Sequence, residues 1–138
     1  MRLLQNDINI ETIAKALSLY HQAILQPEPN RVLLEDIACY LELDTDRNRI
    51  RLTAFFSLQE EYSMLEMLAF CNEMNGDYMM LTVTFLPVDR KGIARLIFRY
   101  NMVYTSEIDL AQLIQNVTRF NRISDEIIEN FKDRYPEA

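Results

Sequence analysis

The single histidine, His21, and the two cysteines, Cys39 and Cys71, are the residues of this 138-residue chain best suited to nucleophilic chemistry. A Cys–His pair works when the imidazole can take the thiol proton within hydrogen-bond reach. Both cysteines fall on expected core faces, where a thiol behaves as a small hydrophobe. His21 closes the first helical pattern, where a lone histidine is ordinarily a surface or satisfied residue. A zinc site needs about four Cys, His or carboxylate ligands at compatible spacing, and the usual structural patterns are missing. Asp44-x-Asp46-x-Asn48 imitates the opening of a calcium loop. Arg49 replaces the glycine such a loop needs and Phe55 replaces its closing glutamate, so the segment reads as a polar turn.

The carboxylates Glu60, Glu61, Glu66 and Glu73 lie along one expected helix, where a solvated face is the ordinary reading. Two of them could act as acid and base only if one were buried beside the other. A pocket built from Glu66, Glu73 and the Asn72/Asn75 pair is the small-ligand alternative. Gly76 and Gly92 are the only glycines and each reads as a turn residue, which excludes a glycine-rich phosphate loop. Asn116-Val117-Thr118 fits a glycosylation acceptor but falls mid-helix. The expectation is a protein that is not an enzyme, with no catalytic residue, no cofactor and no metal.

Composition narrows the partners. Twenty-one acidic against 14 basic side chains give a net charge of -7, opposed to the basic footprint that phosphate neutralisation requires, so nucleic acid is not expected. No apolar run approaches the ~20 residues needed to cross a bilayer, so no membrane partner is expected. The opening Met1-Arg2-Leu3-Leu4-Gln5-Asn6-Asp7 turns polar too early for a signal peptide, and two cysteines suit a reducing compartment; a cytoplasmic protein is expected. Among the basic residues 11 are Arg and only 3 are Lys. Arginine favours bidentate pairing and protein interfaces.

The length suggests one domain spanning residues 1–138. Residues 9–25 carry Ile10, Ile13, Ala14, Leu17, Tyr20, Ile24 and Leu25 at helical spacing, capped by Asn9 or Asp7 and stopped by Gln26-Pro27-Glu28-Pro29-Asn30. Ile37, Cys39, Leu41 and Leu43, then Ile50, Leu52, Ala54 and Phe56, alternate with polar neighbours and predict a hairpin, with strand formation starting as early as Val32. Ser57-Leu58-Gln59-Glu60 reads as a capping box opening a helix to about Met74, ended by Asn75-Gly76. That helix is apolar on most sides, implying burial on more than one face. Met79, Leu81, Val83 and Phe85, then Leu96, Phe98, Tyr100 and Met102, form the inward faces of a second hairpin turning at Asp89-Arg90-Lys91-Gly92. A last helix from about Glu107 to Arg134 shows the stripe Leu110, Leu113, Ile114, Val117, Phe120, Ile127, Ile128 and Phe131, with Ser106 and Asp109 as a capping pair. The fold class is α+β: an antiparallel sheet of two hairpins with three packed helices, in the order α-β-β-α-β-β-α.

The outward sheet face then carries Tyr40, Phe55, Met80, Ile97 and Val103 among Arg51, Arg95, Arg99 and Thr82. Tyr40, Phe55, Met80, Arg95, Ile97 and Arg99 are the expected partner-binding residues, because aromatic, Met and Arg side chains together are what protein interfaces favour. The alternative is that a helix of the same chain covers this face.

Three stretches resemble the YbjN family, whose domain looks like the class I chaperones of type III secretion. They are the helix Leu65-Glu66-Met67-Leu68-Ala69-Phe70-Cys71-Asn72-Glu73-Met74-Asn75, the strand Leu96-Ile97-Phe98-Arg99-Tyr100, and Leu110 to Phe120 with its Arg119-Phe120. The likeness runs from about Ser57 to Phe131 and departs at Thr105-Ser106-Glu107, where family members often have glycine. The resemblance implies a type III secretion chaperone-like α+β fold, a small acidic cytoplasmic protein and a homodimer. It transfers no catalytic residue. A protein-binding module of chaperone type is the first functional expectation, a YbjN-like regulatory protein the second, and a small-ligand-binding protein the third.

Overall fold

Alternation of apolar and polar side chains at period two forces one sheet face into the core, and stripes at spacings of three and four supply the helices that cover it. The computed structural model describes residues 2–88 and 91–136. In chain order these form β1 (Arg2–Leu4), α1 (Ile10–Leu17), β2 (Ala23–Leu25), β3 (Arg31–Leu34), β4 (Cys39–Asp44), β5 (Arg49–Ser57), α2 (Met64–Asp77), β6 (Thr82–Leu86), β7 (Arg95–Val103), β8 (Glu107–Asp109) and α3 (Leu110–Arg134). The architecture is α+β, with a six-stranded antiparallel sheet in the order β2-β3-β4-β5-β7-β6 and a small β1–β8 ribbon. The two expected hairpins join through their long strands: β5 and β7 pair over nine residues, from Arg49 opposite Val103 to Ser57 opposite Arg95.

The inner face buries Val32, Leu34, Cys39, Leu41, Leu43, Ile50, Leu52, Val83, Leu96 and Phe98. Against it pack Ile10, Ile13, Ala14 and Leu17 of α1 and Leu113, Val117, Phe120, Ile127 and Phe131 of α3. Asn9 caps α1 by accepting from the Thr12 amide at 2.8 Å, and Asp109 caps α3 by accepting from the Ala111 amide at 3.0 Å. Gly92 takes the left-handed conformation at φ 78 that its turn requires, while Asp89 and Arg90 of that turn lie outside the described residues.

Several local expectations are corrected. The first helix ends at Leu17 instead of running to Leu25. Asp36 takes the Gln22 amide at 2.9 Å and the His21 ring at 2.8 Å, which turns the chain so that Ala23–Leu25 pair with β3 as an edge strand. Tyr20, placed on the buried stripe by spacing, is therefore exposed. Ile37 belongs to a short turn at 35–37, not to a strand, and the left-handed Ala38 at φ 48 redirects the chain into β4.

Ser57 does not open α2, because it completes the β5–β7 ladder opposite Arg95. A second Ser-x-x-Glu six residues later does: Ser63 accepts from the Glu66 amide at 3.0 Å. Glu60 and Glu61 thus precede the helix. Gly76 lies inside α2, which continues to Asp77 and ends in the extended Tyr78. The helix buries only one face, through Met67, Phe70, Cys71 and Met74. Met79, expected inward, is exposed because regular strand begins only at Thr82. Glu107 to Asp109, expected within the last helix, instead form β8 against β1, tied by Arg2 to Glu107 at 2.9 Å.

Candidate functional site

The register of β3, β4, β5, β7 and β6 sets the outer sheet face. Leu33 faces Tyr40, Tyr40 faces Thr53, Thr53 faces Arg99, and Arg99 faces Thr82; the adjacent row runs Phe55, Ile97, Thr84. Phe55, Thr82, Thr84 and Arg99 stay exposed, so no helix among the described residues lies over them, while Thr53, between Tyr40 and Arg99, is buried. Tyr40, Phe55, Arg95, Ile97 and Arg99 are therefore brought together as alternation predicts. Met80 is not among them: it sits in the bend before β6, half-buried and packed against the core.

These side chains form a ladder. The Arg31 guanidinium stands 4.0 Å over the Tyr40 ring, Tyr40 meets Phe55 edge-on at 6.4 Å, and Arg95 lies 5.9 Å from the Phe55 ring centre. Each such contact is worth about 0.5–1.5 kcal/mol. Arg51 adds a hydrogen bond across the sheet to Asn101 at 3.0 Å. Ile97 is buried, only 5% exposed, which corrects its expected outward exposure. It lies on a strand with neighbours on both sides, opposite Phe55 on β5 and Thr84 on β6. Arg31 was missed by the sequence reading. Its signal was the alternation starting at Val32, which puts the preceding Arg31 on the Tyr40 side of the sheet.

The residues singled out for chemistry are engaged elsewhere. His21 bonds to Asp36. Burial pushes the Cys39 thiol up to about 12 and raises Cys71 as well, so neither thiol forms the reactive anion readily. Asp44 of the calcium-like turn accepts from the Arg47 side chain at 3.0 Å and from Arg49 at 3.4 Å, and the Arg47 bond holds its carboxyl below the usual range. Glu73 is gripped by Arg134 through two bonds of 2.5 and 2.7 Å, which lowers its carboxyl too.

Asn75, half of the Asn72/Asn75 pair, pairs with the backbone of Val83 as a strand would. Its amide donates to the Val83 carbonyl at 3.0 Å, and its oxygen accepts from the Val83 amide at 2.7 Å. That closes the outer edge of β6. A cavity of about 710 Å³ between α1 and α3 was not foreseen; its wall includes Leu19 and Tyr20, which follow the end of α1. No helix among the described residues is long and apolar enough to cross a membrane.

Comparison with family profiles and with curated proteins finds no match. A solved structure is similar: that of YbjN from E. coli, described as a candidate transcription regulator, with a TM-score of 0.79 and 11% identity over 93% of this chain and 94% of that one. At this identity the likeness concerns the fold. The chain is thus an α+β protein with a YbjN-like fold.

Proposed function

We propose that this protein is a non-catalytic regulatory module that holds a protein partner on the outer face of its sheet. One observation carries the reading: the Arg31–Tyr40–Phe55–Arg95 ladder lies on a sheet face where Phe55, Thr82, Thr84 and Arg99 stay exposed. Tyr and Arg side chains are enriched among the few residues that carry most of the binding energy of an interface. A regulator with a YbjN-like fold and a chaperone-type holder would use the same face; they differ in the lifetime of the complex.

Tagged protein recovered from its native cytoplasm, compared with the Phe55→Asp and Arg99→Glu variants, tests the reading. Both positions are exposed, so the variants should remain folded, with Phe55→Asp melting somewhat lower because it loses its contacts with Tyr40 and Arg95. A stoichiometric partner lost from both variants supports the proposal, and its dissociation rate separates a held client from a transient regulatory contact. A partner retained by both folded variants overturns it. Ile97→Asp is unsuitable as a surface probe, since it would bury a charge.

A further inference from the structure

The outer sheet face differs in charge from the rest of the molecule. By register its strands place Arg31, Arg49, Arg51, Arg95 and Arg99 there against the carboxylates Glu42 and Asp44. The chain as a whole has a net charge of -7. All the basic residues of these strands are arginines.

The two carboxylates sit at one end of the face and are balanced there. Glu42 stands opposite Arg31 on one side and Arg51 on the other. Asp44 holds Arg47 at 3.0 Å and Arg49 at 3.4 Å. From Tyr40 onward the face changes. Its rows run Tyr40, Thr53, Arg99 and Thr82, then Phe55, Ile97 and Thr84, then Ser57, Arg95 and Leu86, and none of these is a carboxylate. Arg99 is exposed and makes no hydrogen bond or ion pair among the described residues. Thr53 beside it is 5% exposed, and its hydroxyl has no partner among the described residues. This end of the face thus offers donors next to an exposed ring and lacks charged acceptors.

We infer, on the reading that a protein partner docks on this face, that the partner is acidic where it docks: a carboxylate is received by the Arg99 guanidinium, with an apolar side chain laid on Phe55 beside it. Phe55 stands opposite Ile97, two residues along β7 from Arg99, so ring and guanidinium are diagonal neighbours, about 7–8 Å apart at the backbone. A carboxylate and an apolar side chain two positions apart on a strand, or one turn apart on a helix, span about 5–7 Å. Arginine takes a carboxylate through two parallel N–H bonds. A nucleic acid fits less well, because neutralising its backbone needs a broad basic surface, and here Glu42, Asp44 and the acidic remainder of the chain oppose it.

Selection of a library of short displayed peptides against the full chain, followed by fluorescence anisotropy of the recovered peptides, tests this. The recovered peptides should be rich in Asp and Glu beside apolar residues. Replacing their carboxylates by amides should abolish binding, and raising salt from about 0.05 M to about 0.3 M should weaken it several-fold. Arg99→Gln should weaken it about tenfold or more, and Arg99→Lys should weaken it less. Lys15→Ala, which removes the same charge from α1 on the inner side of the sheet, should leave it unchanged. Both residues are exposed, so the variants should remain folded. Neutral or basic peptides that bind wild type and lose Phe55→Asp overturn the acidic partner while the docking face stands. Acidic peptides indifferent to Arg99→Gln, or a short DNA strand that outcompetes them at Arg99, overturn it as well. Peptides indifferent to both Phe55→Asp and Arg99→Gln, or no recovered peptide at all, overturn the docking face too.

Discussion

The two faces of the six-stranded sheet are made by the same strands and held by different physics. On the inner face, Leu41, Leu52 and Phe98 are fully covered by α1 and α3, and the force is the removal of apolar area from water. On the outer face, Arg31, Tyr40, Phe55 and Arg95 touch in a row, and each contact is a directional pair. Burial of the first kind is cooperative and leaves nothing accessible. Pairing of the second kind is weak at each step and leaves aromatic and guanidinium groups within reach of another molecule. One face can thus carry stability while the other carries recognition.

The contrast breaks first in the core. Phe120→Ala should cost about 3–5 kcal/mol by urea denaturation, since Phe120 is wholly buried. A comparable cost for Phe55→Ala would end the division between the faces. The next effect lies at the sheet edge. Asn75→Ala strips the Val83 amide and carbonyl of their partner, which should cost about 1–3 kcal/mol. The opened edge of β6 should also show as increased light scattering on storage. Asn75→Asp keeps the acceptor for the Val83 amide and loses the donor, so it should fall between wild type and Asn75→Ala. No larger, Tyr40→Leu loses its contacts with both Arg31 and Phe55 and should cost about 1–3 kcal/mol. A double-mutant cycle with Phe55→Leu should show non-additivity from their 6.4 Å edge contact; strict additivity would deny the ladder.

The least effect is electrostatic. Burial raises the Asp36 carboxyl, but its bonds from His21 and the Gln22 amide outweigh this and leave it lowered. Asp44 and Glu73 are lowered by Arg47 and Arg134. A carboxyl whose folded value lies below its unfolded one stabilises fully above the unfolded value, and that contribution disappears as pH falls through the folded value. Urea midpoints should therefore be flat from pH 7 to about pH 5 and drop below about pH 4, with Arg134→Ala reducing the size of that drop.

How far the sequence could be read depends on element length. The nine-residue β5 and β7 and the 25-residue α3 repeat their period often enough to show through: Ile50, Leu52, Leu96, Phe98, Leu113, Val117, Phe120, Ile127 and Phe131 are buried where the pattern put them, while Thr53, Asn116 and Ser124 are buried against it. β1, β2 and β8 have three residues each, too few to display any period, and β2 imitated the continuation of α1. Two Ser-x-x-Glu segments offered the same cap, and only the pairing of Ser57 with Arg95 passed the helix start to Ser63. Of the candidate face, Tyr40, Phe55, Arg95, Ile97 and Arg99 were legible from parity alone. The burial of Ile97 was not, because it depends on which strands flank β7. Met80 was misplaced because parity was carried across a bend.

By itself the sequence determined the α+β class, the inner faces of the long strands and the stripe of α3, since these depend on neighbours within a few residues. It also placed both cysteines in the core. Only the tertiary structure decided that β5 pairs with β7, that Asn75 closes the β6 edge and that Arg31 stacks on Tyr40. Several of its ties span long stretches of chain: Arg51 bonds Asn101 and Arg2 bonds Glu107. Such partners are chosen by the packing that buries the whole core at once, and no local pattern records that choice.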